Sequence, residues 1–106
     1  AMERLIGKYP DLTAVFAMSD VMAIGAIRAL RDLDYRVPED ISVIGFDGIV
    51  LAEYYNPKLA TIRQQYKTLA VRSVEILFGQ IELKKEPIYE VVPFEFASGE
   101  SIKNLK

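Results

Sequence analysis

The 106-residue chain contains neither cysteine nor histidine. Without cysteine it can form no disulfide and no thiolate metal site. Without histidine it lacks the commonest general base, the commonest metal ligand and the usual switch near neutral pH. Positive charge is not in excess either. Thirteen Lys and Arg stand against fifteen Asp and Glu, a formal net charge of −2, whereas a nucleic-acid-binding module normally shows a basic patch. The apolar runs are far too short to span a membrane. Ala1 to Lys8 mixes charges with apolar residues and no long apolar stretch follows, so no secretory leader is expected. There is no internal repeat and no low-complexity segment.

What is present is an apolar half of the chain, 51% by residue, enough for a real core in one domain or part of one. Met2 to Lys8 reads as a short helix, stopped by Tyr9-Pro10. Ala14 to Met18 is a continuous apolar run, too short for a buried helix, so a strand covered on both faces is expected. Ser19-Asp20 follows, and either residue suits a helix N-cap. Ala23, Ala26, Ile27, Leu30 and Leu33 then fall on one helical stripe. Val21 and Ile24 lie well round the cylinder from it, beside Arg28, as a contact patch or as incidental exposure.

Val37 to Asp40 is a turn. Ile41 to Phe46 is a second buried strand, rich in β-branched residues, ended by Asp47-Gly48. An irregular stretch holds Tyr54, Tyr55 and Asn56-Pro57. Leu59 to Arg63 is a short strand. Tyr66 to Ile81 is a helix whose stripe is Ala70, Val74, Leu77, Phe78 and Ile81. Ile88 to Phe96 reads as a strand, with Pro93 demanding an edge or a bulge. The polar C-terminal residues are expected to fray. Strands and helices in alternation, with unbroken apolar strands, give an α/β fold with a parallel sheet flanked by helices.

In open α/β sheets ligands bind beyond the carboxyl ends of the strands. Here those ends carry Ser19-Asp20 and Asp47. A carboxylate accepts two hydrogen bonds side by side, which suits neighbouring sugar hydroxyls, and a serine adds a donor and an acceptor. No nucleophile and base accompany them, so the rim reads as a binding site for a polar small molecule. Plainer roles compete. Asp20 reads first as an N-cap and helix-dipole partner, and Asp47 before Gly48 suits a simple turn. Tyr66 suits the start of a helix core and Gln64 a solvated loop. Arg31, Asp32, Asp34 and Arg36 suit a solvated helix end.

Three blocks, "AVFAMSDVMAIGAIRAL", "YRVPEDISVIGFDG" and "YNPKLATIRQ" followed by a helix, stand in the order and at the spacing of the lactose/galactose repressor (LacI/GalR) family, which the chain resembles from about Met2 to about Ser98. The resemblance implies a partial, type I periplasmic-binding-protein-like fold. It also implies a regulator's effector-binding and dimerisation fragment, without the family's N-terminal helix-turn-helix and much of its first lobe. Residues 1–62 would belong to the C-terminal lobe, 63–87 to an element of the other lobe and 88–106 to the return. The resemblance maps effector contacts to Asp47, Ser19, Tyr66 and Gln64. Asparagine is common at the Ser19 position in sugar binders, so the effector class stays open between sugars and nucleosides. The family's dimer patch maps to Val21, Ile24, Arg28, Tyr54 and Tyr55. Ala60-Thr61 stands where Thr-Thr is usual.

The implied partners are a small effector, a second copy of the chain and, through the N-terminal domain only, operator DNA. Neither a cofactor nor a metal is implied, and the implied location is the cytoplasm. The stripe of Tyr66 to Ile81 would lack its own sheet and would be covered by repacking, by a dimer mate or by domain exchange. A sugar-binding protein of an uptake system shares the fold and is the alternative. An enzyme is the third reading. Asp20 and Asp47 together suit Mg²⁺, but no second acidic residue lies near Asp47 and there is no glycine-rich phosphate loop.

Overall fold

A computed structural model describes residues 1–105. The elements in chain order are α1 (Met2–Lys8), β1 (Ala14–Phe16), α2 (Asp20–Asp32), β2 (Ser42–Asp47), α3 (Val50–Tyr54), β3 (Ala60–Arg63), α4 (Tyr66–Glu82) and β4 (Glu95–Ala97). The strands form one sheet in the order β1-β2-β3-β4. β2 runs parallel to β1, with Val15 opposite Val43, and to β3, with Asp47 opposite Arg63. The expected α/β fold with a parallel sheet is the one observed. By contacts the chain divides into two units, Ala1–Arg63 with Phe96–Lys106, and Gln64–Glu95.

In the first unit the core forms where α2 meets the sheet. Ala23, Ile27 and Leu30 of α2 are fully buried, together with Ile41, Val43, Leu59 and Ala60. The helical stripe read from the sequence faces the core, except that Leu33 at its end is 37% exposed. Coverage of the strands differs from expectation. β1 is a half-exposed edge, and β2 buries alternate residues only. Within this unit α2 buries one face of the sheet, so the apolar runs are not enclosed on both sides.

The stretch after β2 is not wholly irregular. It contains the single helical turn and a half of α3, with Ala52 buried beneath it. Part of the polar C-terminal stretch, Gly99 to Lys103, is held against the sheet. Gly99 passes so close to β3 that a Cβ there would lie 2.5 Å from Ala60 N. Ser101, fully buried, accepts from Ala60 N at 2.9 Å and donates to Val43 O at 2.6 Å. Its carbonyl accepts from Val43 N at 2.8 Å. Ser101 thus satisfies backbone groups of β2 and β3 that would otherwise be buried without partners.

A carboxylate organises the other end of the sheet. Asp20, the first residue of α2, is completely buried. Its Oδ2 accepts from Gly48 N at 2.9 Å and from Ile49 N at 2.8 Å, and its Oδ1 accepts from Thr61 Oγ1 at 2.5 Å. The cap of α2 is Ser19, whose Oγ accepts from Met22 N at 3.2 Å. Asp20 is therefore not the N-cap. It holds α2, the turn into α3 and β3 together, and the positive end of α2 favours its charge. Gly45 makes room for it: a Cβ there would lie 2.3 Å from Asp20 Oδ1 and 3.0 Å from Leu59 Cδ2.

Arg31, Asp32, Asp34 and Arg36 are all exposed, as expected of a solvated helix end. The Arg31 guanidinium lies 5.7 Å from the centre of the Tyr55 ring and donates to the Asn56 carbonyl. Arg36 pairs with Asp40 at 3.1 Å, and this side-chain hydrogen bond holds the Asp40 carboxyl below its ordinary value.

In the second unit, Arg72 of α4 pairs with Glu75 and with Glu90, the latter at 2.8 Å, and Gln65 Nε2 donates to Pro93 O at 3.0 Å. Ile88 to Phe96 does not form the long strand expected. Only Glu95–Ala97 is strand, since Pro93 has no N–H to give a ladder and Pro87 restricts the approach. α4 runs through its expected stripe, yet none of its residues is buried.

Two substitutions test this account by urea unfolding. Gly45→Ala should cost about 1–3 kcal/mol through overpacking against Asp20. Ser101→Ala should cost about 1–3 kcal/mol by orphaning Ala60 N, whereas Ser98→Ala, on an exposed position, should change stability by less than about 0.5 kcal/mol.

Candidate functional site

The carboxyl ends of β1 and β2 meet at the Asp20 bonds. Because Asp20 accepts from Gly48 N, the pair Ser19-Asp20 is fixed beside the pair Asp47-Gly48. Ser19 is half-buried. Its oxygen is used as an acceptor by the cap, and its O–H remains able to donate. Asp47, also half-buried, is the last residue of β2 and has a φ of 131°. Gly48 follows at φ 79°, and a Cβ on it would lie 2.7 Å from Arg63 Cγ. Gly48 is thus required both for its dihedral and for the stem of Arg63 that lies across it.

Gln64 and Tyr66 lie in the second unit. Gln64 is half-buried in the connection after β3, and Tyr66, half-exposed, opens α4. The structure therefore brings two of the four expected site residues, Ser19 and Asp47, onto one rim, and places the other two where the chain leaves β3.

Of the expected dimer patch, Val21 and Tyr54 are 67% and 79% exposed, and Arg28 is exposed in a pair with Asp32 at 3.2 Å. Ile24 and Tyr55 pack in part against the core. The patch is continuous with the Asp20 bonds, since Val21 follows Asp20 and α3 starts directly after Ile49. An apolar groove of about 410 Å³ lies on the other side of α2, lined by Met2, Leu5, Phe16, Met18, Met22 and Ala26 among others.

Three features of the rim escaped the sequence reading. Asp20 looks like any N-cap carboxylate in sequence. Both its oxygens serve internal donors, and the side chain is fully buried. Thr61, given no role from the sequence, is a donor to that buried charge. Glu53 pairs with Arg63 at 3.0 Å; nothing in the spacing announced it. Among the described residues no group of three or more acidic side chains is placed to hold a metal, and no helix is long and apolar enough to cross a membrane.

Comparison with known proteins follows the same lines. The model of the periplasmic binding protein-like domain matches residues 1–102. The transcriptional regulator MalR of Clostridium butyricum, of the helix-turn-helix type, is 41% identical over 104 residues, covering 98% of this chain and 31% of the relative. A transcriptional regulator CelR in complex with cellobiose superposes with a TM-score of 0.90 at 34% identity, over 95% of this chain and 31% of that one. The lac repressor dimer bound to operator and an anti-inducer superposes with a TM-score of 0.87 at 28% identity, over 95% and 35%. The chain thus spans about a third of the length of these relatives. They are transcription regulators, not components of uptake systems, and the uptake alternative is set aside. The chain belongs to the family of periplasmic-binding-protein-like domains, in the form carried by LacI-type transcription regulators.

Proposed function

We propose that this chain is the effector-sensing and dimerisation part of a sugar-repressor-type transcription regulator, acting by binding and not by catalysis. The observation that carries the reading is Asp47: a carboxylate at the carboxyl end of a central parallel strand, on a backbone φ of 131°. Non-glycine residues rarely adopt such a dihedral, and such strain concentrates at functional sites. The bonds from Asp20 to Gly48 and Ile49 hold the turn in place.

In this reading Asp47 accepts from two neighbouring hydroxyls of the effector and Ser19 donates to a third. Gln64 and Tyr66, the other two expected effector contacts, belong to the unit Gln64–Glu95. The cellobiose held by CelR makes a sugar the first effector class to test. No nucleophile with a general base accompanies these residues, so ligand turnover has no chemistry here. Val21, Ile24, Arg28, Tyr54 and Tyr55 face a second copy, as befits a fold shared with a dimeric repressor. Operator binding belongs to a helix-turn-helix segment outside these 106 residues, and the place of work is the cytoplasm. The effector acts by population shift: bridging two lobes favours one lobe angle, and the dimer passes that preference on.

Light scattering on the 106-residue chain tests the dimer face. The wild type should be a dimer and Tyr54→Asp a monomer. A dimer indifferent to the substitution assigns association to the apolar face of α4, and a wild-type monomer refutes self-association altogether. Amide NMR with cellobiose tests the rim. The Gly48 and Ile49 signals should move with an affinity weaker than micromolar, since this chain holds part of the pocket, and Asp47→Asn should abolish the response. Submicromolar binding would contradict the shared pocket, and an unchanged response in Asp47→Asn would contradict the role of Asp47.

A further inference from the structure

α3 has little of its own to hold it in place. It is 5 residues long, far below the length at which a helix is stable by itself. Ala52 is its one buried residue, while Val50, Leu51 and Tyr54 are exposed. Its N-cap is Ile49, whose side chain has no polar atom to offer the first turn. The group that fixes the approach to α3 sits on another element. Asp20 Oδ2 accepts from Gly48 N at 2.9 Å and from Ile49 N at 2.8 Å, so two successive amides ahead of α3 are tied to the start of α2. That carboxylate is held in turn from its far side. Its Oδ1 accepts from the Thr61 hydroxyl at 2.5 Å and lies over Gly45, where a Cβ would come within 2.3 Å of it. Thr61 is buried, so bulk water is no substitute for its hydroxyl.

We infer that Thr61 is a positioning residue for the dimer face: its hydroxyl aims the Asp20 carboxylate at Gly48 and Ile49, and through them sets where α3 presents Tyr54. The inference rests on the reading of the face around Tyr54 as the self-association surface. A carboxylate pivots about its Cβ–Cγ bond. With Oδ1 held by Thr61, Oδ2 has one place to be. With Oδ1 released, a buried charged acceptor is left short of a donor, a loss on the scale of a charge-assisted hydrogen bond, and the carboxylate turns toward other donors. α3 then keeps Ala52, whose carbonyl accepts from Leu59 N at 3.0 Å, and the exposed pair of Glu53 with Arg63, which is a weak tie. Placed and displaced α3 come close in free energy, and a second copy meets the competent face in only a share of the molecules.

The test is a series at position 61, read by light scattering over a dilution series and by hydrogen exchange at the Gly48 and Ile49 amides. Ser101→Ala, which removes a buried hydrogen bond at the other end of the sheet, is the control for lost stability alone. In Thr61→Val, which keeps the shape and removes the donor, the two amides should exchange about ten-fold faster than in Ser101→Ala. Each protomer brings one α3, so correct placement in about a third of the molecules raises the dissociation constant of the dimer about ten-fold. Thr61→Ser keeps the hydroxyl and should return both readings to near the wild type. Thr61→Cys has a weak donor and carries the comparison if Thr61→Val does not fold: it should associate more weakly than Thr61→Ser, and equal association overturns the inference. A dimer as tight in Thr61→Val as in the wild type overturns it as well. So does equal weakening in Ser101→Ala, which would assign the effect to stability, or a Thr61→Ser as weak as Thr61→Val, which would take the hydroxyl out of the account. If the wild type is a monomer, or Tyr54→Asp leaves its mass unchanged, the self-association reading fails and the inference with it. If Tyr54→Asp gives a monomer while the series at position 61 leaves the dimer unmoved, that reading stands and the inference alone falls.

Discussion

The buried charge of Asp20 is the constraint on which one end of this sheet depends. A carboxylate without water must have its lone pairs filled, because an uncompensated charge in the interior costs several kcal/mol. Two backbone N–H groups, a threonine hydroxyl and the first turn of α2 meet that demand. Each donor fixes something else. Gly48 and Ile49 fix the turn that leaves β2 and starts α3. Thr61 fixes the height of β3. The space the carboxylate takes excludes any side chain at Gly45. Replacing Thr61 by a residue without a hydroxyl, or Gly45 by one with a Cβ, disturbs the same charge from two sides.

This arrangement places two surfaces on one rigid joint. Asp47 precedes Gly48, and Val50 to Tyr54 follows Ile49, so one carboxylate holds the residues between the candidate ligand rim and the candidate dimer face. α2 does the same at its own start: Ser19 lies at the candidate rim and Val21 on the candidate dimer face. A shift at the rim large enough to move Gly48 must either carry α3 with it or break a charge-assisted bond. The bonds supply a short mechanical path for coupling between sites.

How much of this was legible follows from what sequence patterns encode. The period of α2 gave its core stripe, because burial along a helix repeats every three or four residues. The β-branched run at Ile41 to Phe46 gave a strand, and three strands separated by helical or irregular segments gave the parallel sheet. The shared location of Asp47 and Ser19 was legible because strand ends in such sheets point to one rim. Asp20 was misread because an N-cap aspartate and a buried one at the next position share one local sequence. Its partners, Gly48, Ile49 and Thr61, lie 28 to 41 residues away. Ser101 was misread for the same reason: a serine in a polar tail looks solvated until β2 and β3 are set beside it. At Ile88 to Phe96, Pro93 does more than demand an edge or a bulge: the strand is confined to Glu95–Ala97 beyond it.

α4 separates pattern from burial most clearly. Its stripe of Ala70, Val74, Leu77, Phe78 and Ile81 is amphipathic in sequence and the helix forms over it, yet Val74, Leu77, Phe78 and Ile81 remain about half exposed or more. Leu83, Ile88, Tyr89, Val91 and Phe94 of the same unit are exposed as well. An amphipathic period records that a helix has an apolar face to bury. It does not record which surface buries it. Residues Gln64–Glu95 do not bury that face among themselves, and an apolar face of this extent on a free surface favours association. The mass of the chain in solution therefore carries more than an oligomer count. It distinguishes a dimer set by the face around Tyr54, which belongs to the well-packed unit, from one set by α4, where exposed apolar area is the driving term.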